Sequence, residues 1–397
     1  MNIKVIVLSR SIAIVIDPWD YPFNGAVVST RRFVKVLENQ FSFKLLATPA
    51  DNEKPDRRMV QFGRVSIPGF NHILDEMKVP LARPDRKLLR QALQGCELLH
   101  VQFPFFLGFV AISEARKLGL PVICSFHVQP ENLLLNVGIR SRWISKILYK
   151  FFIAAFYNRA DMVIAPSEFA AEELRSQGLV KTVKVISNGV PEHFLSLLHT
   201  SGGETGAEQV HKLLSVGRLA KEKQQDVLLR AIARSKYKNS IELTMVGTGP
   251  QEEELRKLAA RLELNVTIGS VSDETLLTLL TESDLFVHAG EIELEGMSVV
   301  EAMAAGNTVI VSDSRDSAAA MLVDNPQALF RNRNPVDLAA KIDYWLANPK
   351  EKLIEAKSNR QRAGHRSHAD CVAQFASLYN ELMAVELPAE NGITQFE

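Results

Sequence analysis

Fifteen residues in the second half of the chain, Ala289–Met303 (AGEIELEGMSVVEAM), concentrate its chemistry. Glu293 and Glu301 flank Gly296-Met297-Ser298, and the run from Ser298 through Val300 into Glu301-Ala-Met-Ala-Ala has the composition of a helix's first turns. The first amides of a helix lack intrahelical partners, and with the helix dipole they attract an anion such as a phosphate. Gly296 lacks a Cβ and lets a ligand approach the backbone. Carboxylates at Glu293, in the loop, and Glu301, in the helix, can accept hydrogen bonds from paired hydroxyls of a ribose or a hexose. Phosphate between two sugars describes a nucleotide-sugar. Glutamates at a helix start also occur as plain dipole-complementing surface residues, so this window alone leaves both readings open.

Two cations add to the first reading. Arg218 and Lys223 follow a strand-like run, and an arginine fork with a lysine point charge a few residues on suits two adjacent phosphates. Each alone reads equally as a solvated charge at a strand end. Gly247-Thr-Gly249-Pro250 supplies a second glycine-rich loop, but it lacks the third glycine of a dinucleotide fingerprint and no acidic ribose ligand follows. A plain nicotinamide-binding domain is disfavoured. His127 ends a strand of the first half, where a structural histidine and a functional one are both open. There is no Asp-x-Asp pair, and the nine histidines show no ligand spacing, so no metal site and no bound cofactor is expected.

Those residues need elements to hold them. Short apolar runs (KVIVL, FKLLAT, LLHVQF, PVICSFH, MVIAPS, VKVIS) alternate with helical patterns, and after residue 210 the rhythm repeats with KLLSVG, ELTMVG, VTIG, LFVHA and TVIVSD. Continuous apolar strands separated by amphipathic helices imply parallel sheets covered on both faces. Two such series in 397 residues imply two doubly wound α/β domains. The Gly/Ser/Thr-dense stretch Thr200–Gly206 marks the seam, giving a domain over 1–198, a second over 208–365, and a C-terminal segment 366–397 whose helix (about Ala369 to Val385) packs on one or the other. Ligands of such sheets bind at the carboxyl ends of the strands, so Gly25, the segment His100–Gly108, His127, Arg218, Lys223, Gly249 and the Glu293–Glu301 window all face one interdomain cleft.

Composition excludes several classes. Lys+Arg and Asp+Glu are 46 each, which gives no reason to expect nucleic-acid binding. Three scattered cysteines fit a reducing compartment. MNIKVIVLSRSIAIVI reads as a first strand rather than a signal peptide, and no apolar run is long enough to span a membrane. A cytoplasmic protein is expected. One stretch points towards the inner face of a membrane: 139–159 holds Arg140, Arg142, Lys146, Lys150 and Arg159, no acidic residue, and Trp143, Ile144, Ile147, Leu148, Phe151 and Phe152 at helical spacing. A basic aromatic helix of this kind either lies on an anionic bilayer or packs its apolar stripe into the core and wets its basic face.

Taken together these residues resemble the retaining glycosyltransferases of family 4, with the GT-B fold, over nearly the whole chain. Glu293 and Glu301 have that family's spacing, with Gly296 and Glu301-Ala-Met-Ala-Ala-Gly306 in register; Val216-Gly-Arg218-Leu-Ala-Lys-Glu-Lys223 is similar to its phosphate-binding loop. Ser187-Asn-Gly-Val190, Met245–Pro250, Ser283–Val287 and Val311-Ser-Asp313 stand where the family has such words. The resemblance implies that Arg218 and Lys223 hold the donor diphosphate and Glu301 the ribose, and that Glu293 contacts the donor sugar. It also implies that the backbone at Met297, Ser298 and Val299 approaches phosphates and sugar, that Gly25 admits the diphosphate, and that His127 contacts the sugar near the reacting centre.

Three departures stand out: Asn24-Gly25 in place of two glycines, Val128-Gln129 where an acidic residue is usual, and Ser314-Arg315-Asp316 in place of a glycine pair. The second leaves the acceptor's base unidentified. His100-Val-Gln-Phe-Pro-Phe-Phe-Leu-Gly108 is similar to members acting on lipid acceptors. The expected activity is hexosyl transfer from a nucleoside-diphosphate sugar, a UDP-sugar first, to a glycan or lipid acceptor. A nucleotide-sugar epimerase on the same fold, and a non-catalytic partner of another glycosyltransferase, are the alternatives.

Overall fold

The computed structural model describes residues 10–21, 25–50, 54–66, 80–197 and 210–384. The run KVIVL, Pro22, Asn24, the Thr200–Gly206 seam and residues 385–397 lie outside the described residues. The first sheet consists of β1 (Arg10–Val15), β2 (Phe41–Ala47), β3 (Met59–Gln61), β4 (Leu98–Val101), β5 (Val122–Ser125), β6 (Met162–Ala165) and β7 (Val183–Val185). Its order is β3-β2-β1-β4-β5-β6-β7 and its pairings are parallel. The second holds β8 (His211–Val216), β9 (Ile241–Val246), β10 (Asn265–Gly269), β11 (Leu285–His288), β13 (Val309–Ser312) and β15 (Leu329–Phe330), ordered β10-β9-β8-β11-β13-β15 and again parallel. A separate two-stranded ladder joins β12 (Ile292–Glu293) to β14 (Asp316–Ser317). These are two Rossmann-like α/β domains.

Composition explains which strands are central. β4, β5, β11 and β13 are buried at every residue, as uninterrupted apolar runs covered on both faces must be. The edge strands β3, β7 and β10 carry Gln61, Lys184, and Asn265 with Thr267, and are partly exposed. Of the N-terminal run read as one first strand, the described part starts at Arg10: Ile12–Val15 are wholly buried, while Arg10, 3.5 Å from Glu97, is partly exposed.

Seven helices frame the site: α1 (Gly25–Leu37), α2 (Phe106–Lys117), α3 (Pro130–Asn136), α4 (Arg142–Ala155), α5 (Met297–Ala304), α6 (Pro349–Gly364) and α7 (His368–Ala384). Within 139–159 the helix is α4, capped by Ser141 Oγ on the Ile144 amide, and Tyr157–Arg159 forms a separate 3-10 turn. The final helix, α7, packs on the first sheet, with Phe375 stacked on Phe33 at 4.7 Å and Tyr379 and Leu378 fully buried. The chain thus crosses between domains twice, and the crossings are stitched together: the Val190 amide donates to Arg366 O (2.7 Å) and the His368 amide to Val190 O (2.9 Å). Gly189, at φ +73°, lies so near that an added Cβ would sit 2.7 Å from His368 Cα. The word Ser187-Asn-Gly-Val190 therefore marks this crossing.

In both sheets the strand order reverses direction in the middle, between β1 and β4 and between β8 and β11. Crevices form where neighbouring loops diverge at such points. The chain leaving β1, β4, β8 and β11 leads to Gly25, Gln102, Arg218 with Lys223, and Glu293.

Candidate active site

The centre of the site is the N-terminus of α5. Gly296 precedes the helix at φ +83°, a left-handed conformation that favours glycine. Its carbonyl accepts from the Val299 and Val300 amides (2.9 and 3.0 Å), while the amides of Met297 and Ser298 open the helix without intrahelical partners. Glu293 lies in front of this turn and accepts the Gly296 amide. Lys223 Nζ reaches Glu293 Oε2 at 2.5 Å. Burial alone would raise the Glu293 carboxyl, but the Lys223 ammonium and the Gly296 amide hold it down at about 2. Beneath them His288 Nε2 lies 3.9 Å from Glu293 Oε2, buried and without a hydrogen-bond partner. Burial, with Lys223 nearby, lowers His288 to about 4, so the ring is neutral at pH 7.

The sequence pairs Arg218 with Lys223 as one clamp; the structure gives each cation its own carboxylate. Arg218 Nη2 bonds Glu222 Oε1 at 2.9 Å and reaches across the cleft to Asn136 Oδ1 at 3.1 Å. The loop explains the separation: Lys221–Lys223 forms a 3-10 turn that sends the two side chains to different neighbours. Gly249 supports this loop from behind. The Leu219 amide donates to Thr248 O (3.0 Å), the Gln251 amide to Leu219 O (2.9 Å), and a Cβ on Gly249 would sit 2.3 Å from Leu219 O. The missing side chain makes room for the phosphate-loop backbone. At Gly25, the first residue of α1, an added Cβ would meet nothing within 4 Å, so this position is open.

Glu301, one turn into α5, meets Arg32 Nη1 of α1 at 3.1 Å, an ion pair across the cleft. Burial raises the Glu301 carboxyl and Arg32 opposes it. Sequence patterning gives no sign of Arg32, because its partner lies 269 residues away. Nor does it single out Glu295, whose carboxylate is gripped from the first domain by Ser187 Oγ (2.5 Å) and the Asn188 amide (3.0 Å). Burial pushes Glu295 up to about 7 against those bonds. The Ser187-Asn188 part of that word is the available signal.

His127 lies on the first domain, with Nε2 bonded to Gln102 Oε1 at 3.0 Å; burial lowers its ring to about 4. Its partner, Gln102, belongs to the same domain. A cavity of about 400 Å³ opens between α3–α4 and the β12–β14 ladder, lined by Glu131, Leu134, Ile139, Arg142, Asp316 and Arg333 among others. Asp316 and Arg333 follow β13 and β15, which lie beyond β11 on the side away from β8 and the phosphate loop. Glu291 forms one wall, held by Arg333, by Arg140 at 3.2 Å and by Gln224 at 2.7 Å. Among the described residues no three His, Cys, Asp or Glu side chains gather as a metal site, and no helix is long and apolar enough to cross a membrane.

Two Rossmann-like domains that bring a cation, a carboxylate and a helix N-terminus together at their cleft define a glycosyltransferase of the GT-B class. Within that class the chain belongs to glycosyltransferase family 4: residues 23–194 match the family described as Glycosyltransferase Family 4, and residues 204–363 that described as Glycosyl transferases group 1. It is similar to the alpha-monoglucosyldiacylglycerol synthase of Streptococcus pneumoniae, 26% identical over 300 residues covering 72% of this chain and 67% of that protein. It is also similar to a GDP-mannose-dependent alpha-mannosyltransferase of Corynebacterium glutamicum, 26% identical over 317 residues covering 76% and 72%. In fold it matches the sucrose-phosphate synthase of Thermosynechococcus elongatus, with TM-score 0.75 at 17% identity over 94% of this chain and 99% of that one.

Proposed function

We propose that this glycosyltransferase moves a hexosyl unit from a nucleoside-diphosphate sugar, a UDP-sugar first, to an acceptor hydroxyl on a membrane lipid or lipid-linked glycan, with retention of configuration and without a metal ion. The observation that carries the donor reading is the Lys223–Glu293 pair at the open turn of α5. A diphosphate entering there meets Lys223, Arg218 and the amides of Met297, Ser298 and Val299, with room beside Gly25. Glu301 then accepts the ribose hydroxyls, Glu293 those of the hexose, and His127 contacts the hexose from the opposite domain. Preformed positive charge where the leaving diphosphate develops its own supplies the main lowering of the barrier.

Both site carboxylates are ion-paired, Glu293 with Lys223 and Glu301 with Arg32. This favours a front-face reaction, in which the departing phosphate helps take the acceptor's proton, over attack by a carboxylate nucleophile. Trapping a covalent glycosyl-enzyme overturns that part. The cavity walled by Glu131, Asp316 and Arg142 shares its Glu291 wall with Gln224 of the phosphate loop and is the acceptor's place in this reading. Relatives named for a diacylglycerol glycoside and for a diphospho-undecaprenol glycan support a lipid-borne acceptor.

A thermal-shift panel of UDP-, GDP- and ADP-sugars in EDTA tests the donor reading. A ligand at one hundred times its dissociation constant adds about 2.7 kcal/mol of stability. A selective shift names the base, and the GDP arm carries weight because one relative is GDP-mannose-dependent. No shift with any nucleotide overturns the proposal.

A further inference from the structure

β4 ends at Val101, and its His100 is followed two residues later by Gln102, so both side chains leave the same face of the strand. Both are fully buried. A continuous hydrogen-bonded chain runs through them. His127 Nε2 meets Gln102 Oε1 at 3.0 Å, Gln102 Nε2 meets His100 Nε2 at 3.1 Å, and His100 Nδ1 meets the Tyr379 hydroxyl at 2.8 Å. Ser125 Oγ also contacts His100 Nε2, at 2.7 Å.

The proton positions follow from the groups. An amide oxygen only accepts, so the hydrogen on the His127–Gln102 bond belongs to His127 Nε2. An amide nitrogen only donates, so His100 Nε2 is a bare lone pair, and the neutral ring carries its hydrogen on Nδ1, towards Tyr379. Burial, with His127 nearby, lowers His100 to about 3, which keeps it neutral at pH 7. Tyr379 is fixed in turn, since α7 is locked to α1 by the Phe33–Phe375 stack and Tyr379 itself is buried in the core of the first domain.

We propose that Gln102 is the positioning residue that holds His127 as its Nε2–H tautomer, leaving Nδ1 as a hydrogen-bond acceptor towards the cleft, and that Tyr379 of the last helix orients Gln102 through His100. The proposal rests on the reading of His127 as a donor-sugar contact: a sugar hydroxyl then donates to Nδ1, and this nitrogen has no proton to give to a leaving group. It assigns a task to the His100–Gly108 segment and ties the C-terminal helix to the reacting centre.

Nitrogen NMR of the full chain labelled with 15N-histidine, free of substrate at pH 7 and assigned with His127→Gln, reads the tautomer directly. The expected result is a protonated Nε2 and a bare Nδ1 on His127. Gln102→Leu removes this single-tautomer signature, and Tyr379→Phe weakens it. With UDP-glucose as donor and water as acceptor, Gln102→Leu lowers kcat/KM for hydrolysis about threefold to tenfold, the size of one neutral hydrogen bond, while UDP alone still binds. A His127 protonated on Nδ1, or a signature unchanged in Gln102→Leu, overturns the proposal. Failure of wild-type protein to bind UDP or UDP-glucose overturns the donor reading instead and leaves the tautomer result standing.

Discussion

Lys223 Nζ and Glu293 Oε2 are 2.5 Å apart, so the cation assigned to phosphate rests on the carboxylate assigned to sugar. Under the proposed donor reading, binding exchanges these partners: phosphate draws Lys223 away and frees Glu293 for hydroxyls. Lys223→Ala is expected to cut turnover about 10²-fold or more, the effect of losing one charge-stabilising donor. Steady-state kinetics with the donor chosen by thermal shift checks it, and near-normal turnover rejects the assignment.

The same pair has a pH signature. The Glu293 carboxyl is held at about 2 when folded, against an ordinary 4.5. A depressed carboxylate contributes its stability fully above 4.5 and loses it as the pH falls towards 2. Wild-type protein should therefore melt higher than Glu293→Gln near neutrality, and the gap should narrow below 4.5. A constant gap across acid pH means the ion pair is absent in solution.

Arg32 and Glu301 make a second test. Burial raises Glu301, and Arg32 works against that rise. Arg32→Ala removes the opposing charge, so the carboxyl takes up its proton at higher pH than in wild type. A protonated Glu301 accepts fewer hydroxyl hydrogens, so the donor KM of Arg32→Ala should climb on acidification earlier than that of wild type. Arg32→Lys should restore most of the wild-type profile. Superimposable KM–pH profiles in wild type and Arg32→Ala exclude this role.

Gly249 is a purely steric case. An added Cβ would sit 2.3 Å from Leu219 O, and backbone on both sides leaves no flexible side chain to yield. Gly249→Ala should cost about 1–3 kcal/mol, as overpacking does, and push aside the loop bearing Arg218, raising the donor KM. Denaturant melts with donor titration check both; unchanged stability shows that the loops can part freely.

The fold was legible because β4, β5, β11 and β13 are apolar on both faces, a pattern that only a covered parallel sheet satisfies. The helix start at Gly296 was legible because its backbone needs a left-handed residue and its neighbours are helix formers. What sequence could not give is who meets whom across the cleft. Arg32 with Glu301, Arg140 with Glu291 and Ser187 with Glu295 are 269, 151 and 108 residues apart, and no period links them. The Gly-x-Gly loop at Gly249 likewise gives no hint that a neighbouring loop fills the space beside it.

The structure gives the helix of 139–159 one buried and one exposed face. Ser145, Tyr149, Phe152 and Ile153 of α4 are buried, while Trp143, Ile147 and Phe151 are 72%, 45% and 54% exposed in a row beside Arg142, Lys146 and Lys150. Those three cations make no ion pair among the described residues, although cations elsewhere in this charge-balanced chain commonly do. An exposed apolar row beside unpaired positive charge complements an anionic bilayer, where each Lys or Arg is worth about 1 kcal/mol near the surface. The near end of α4 also lines the cavity, through Ser141, Arg142 and Ser145, so a bilayer under this face would present an acceptor there. Binding to phosphatidylglycerol vesicles, read by sedimentation, should fall more than about fivefold for each of Lys146→Glu and Lys150→Glu, since a reversal loses one attraction of about 1 kcal/mol and adds a repulsion, and Trp143→Ala should weaken it without altering its salt dependence. Equal sedimentation of wild type and the double charge reversal would place this face in water.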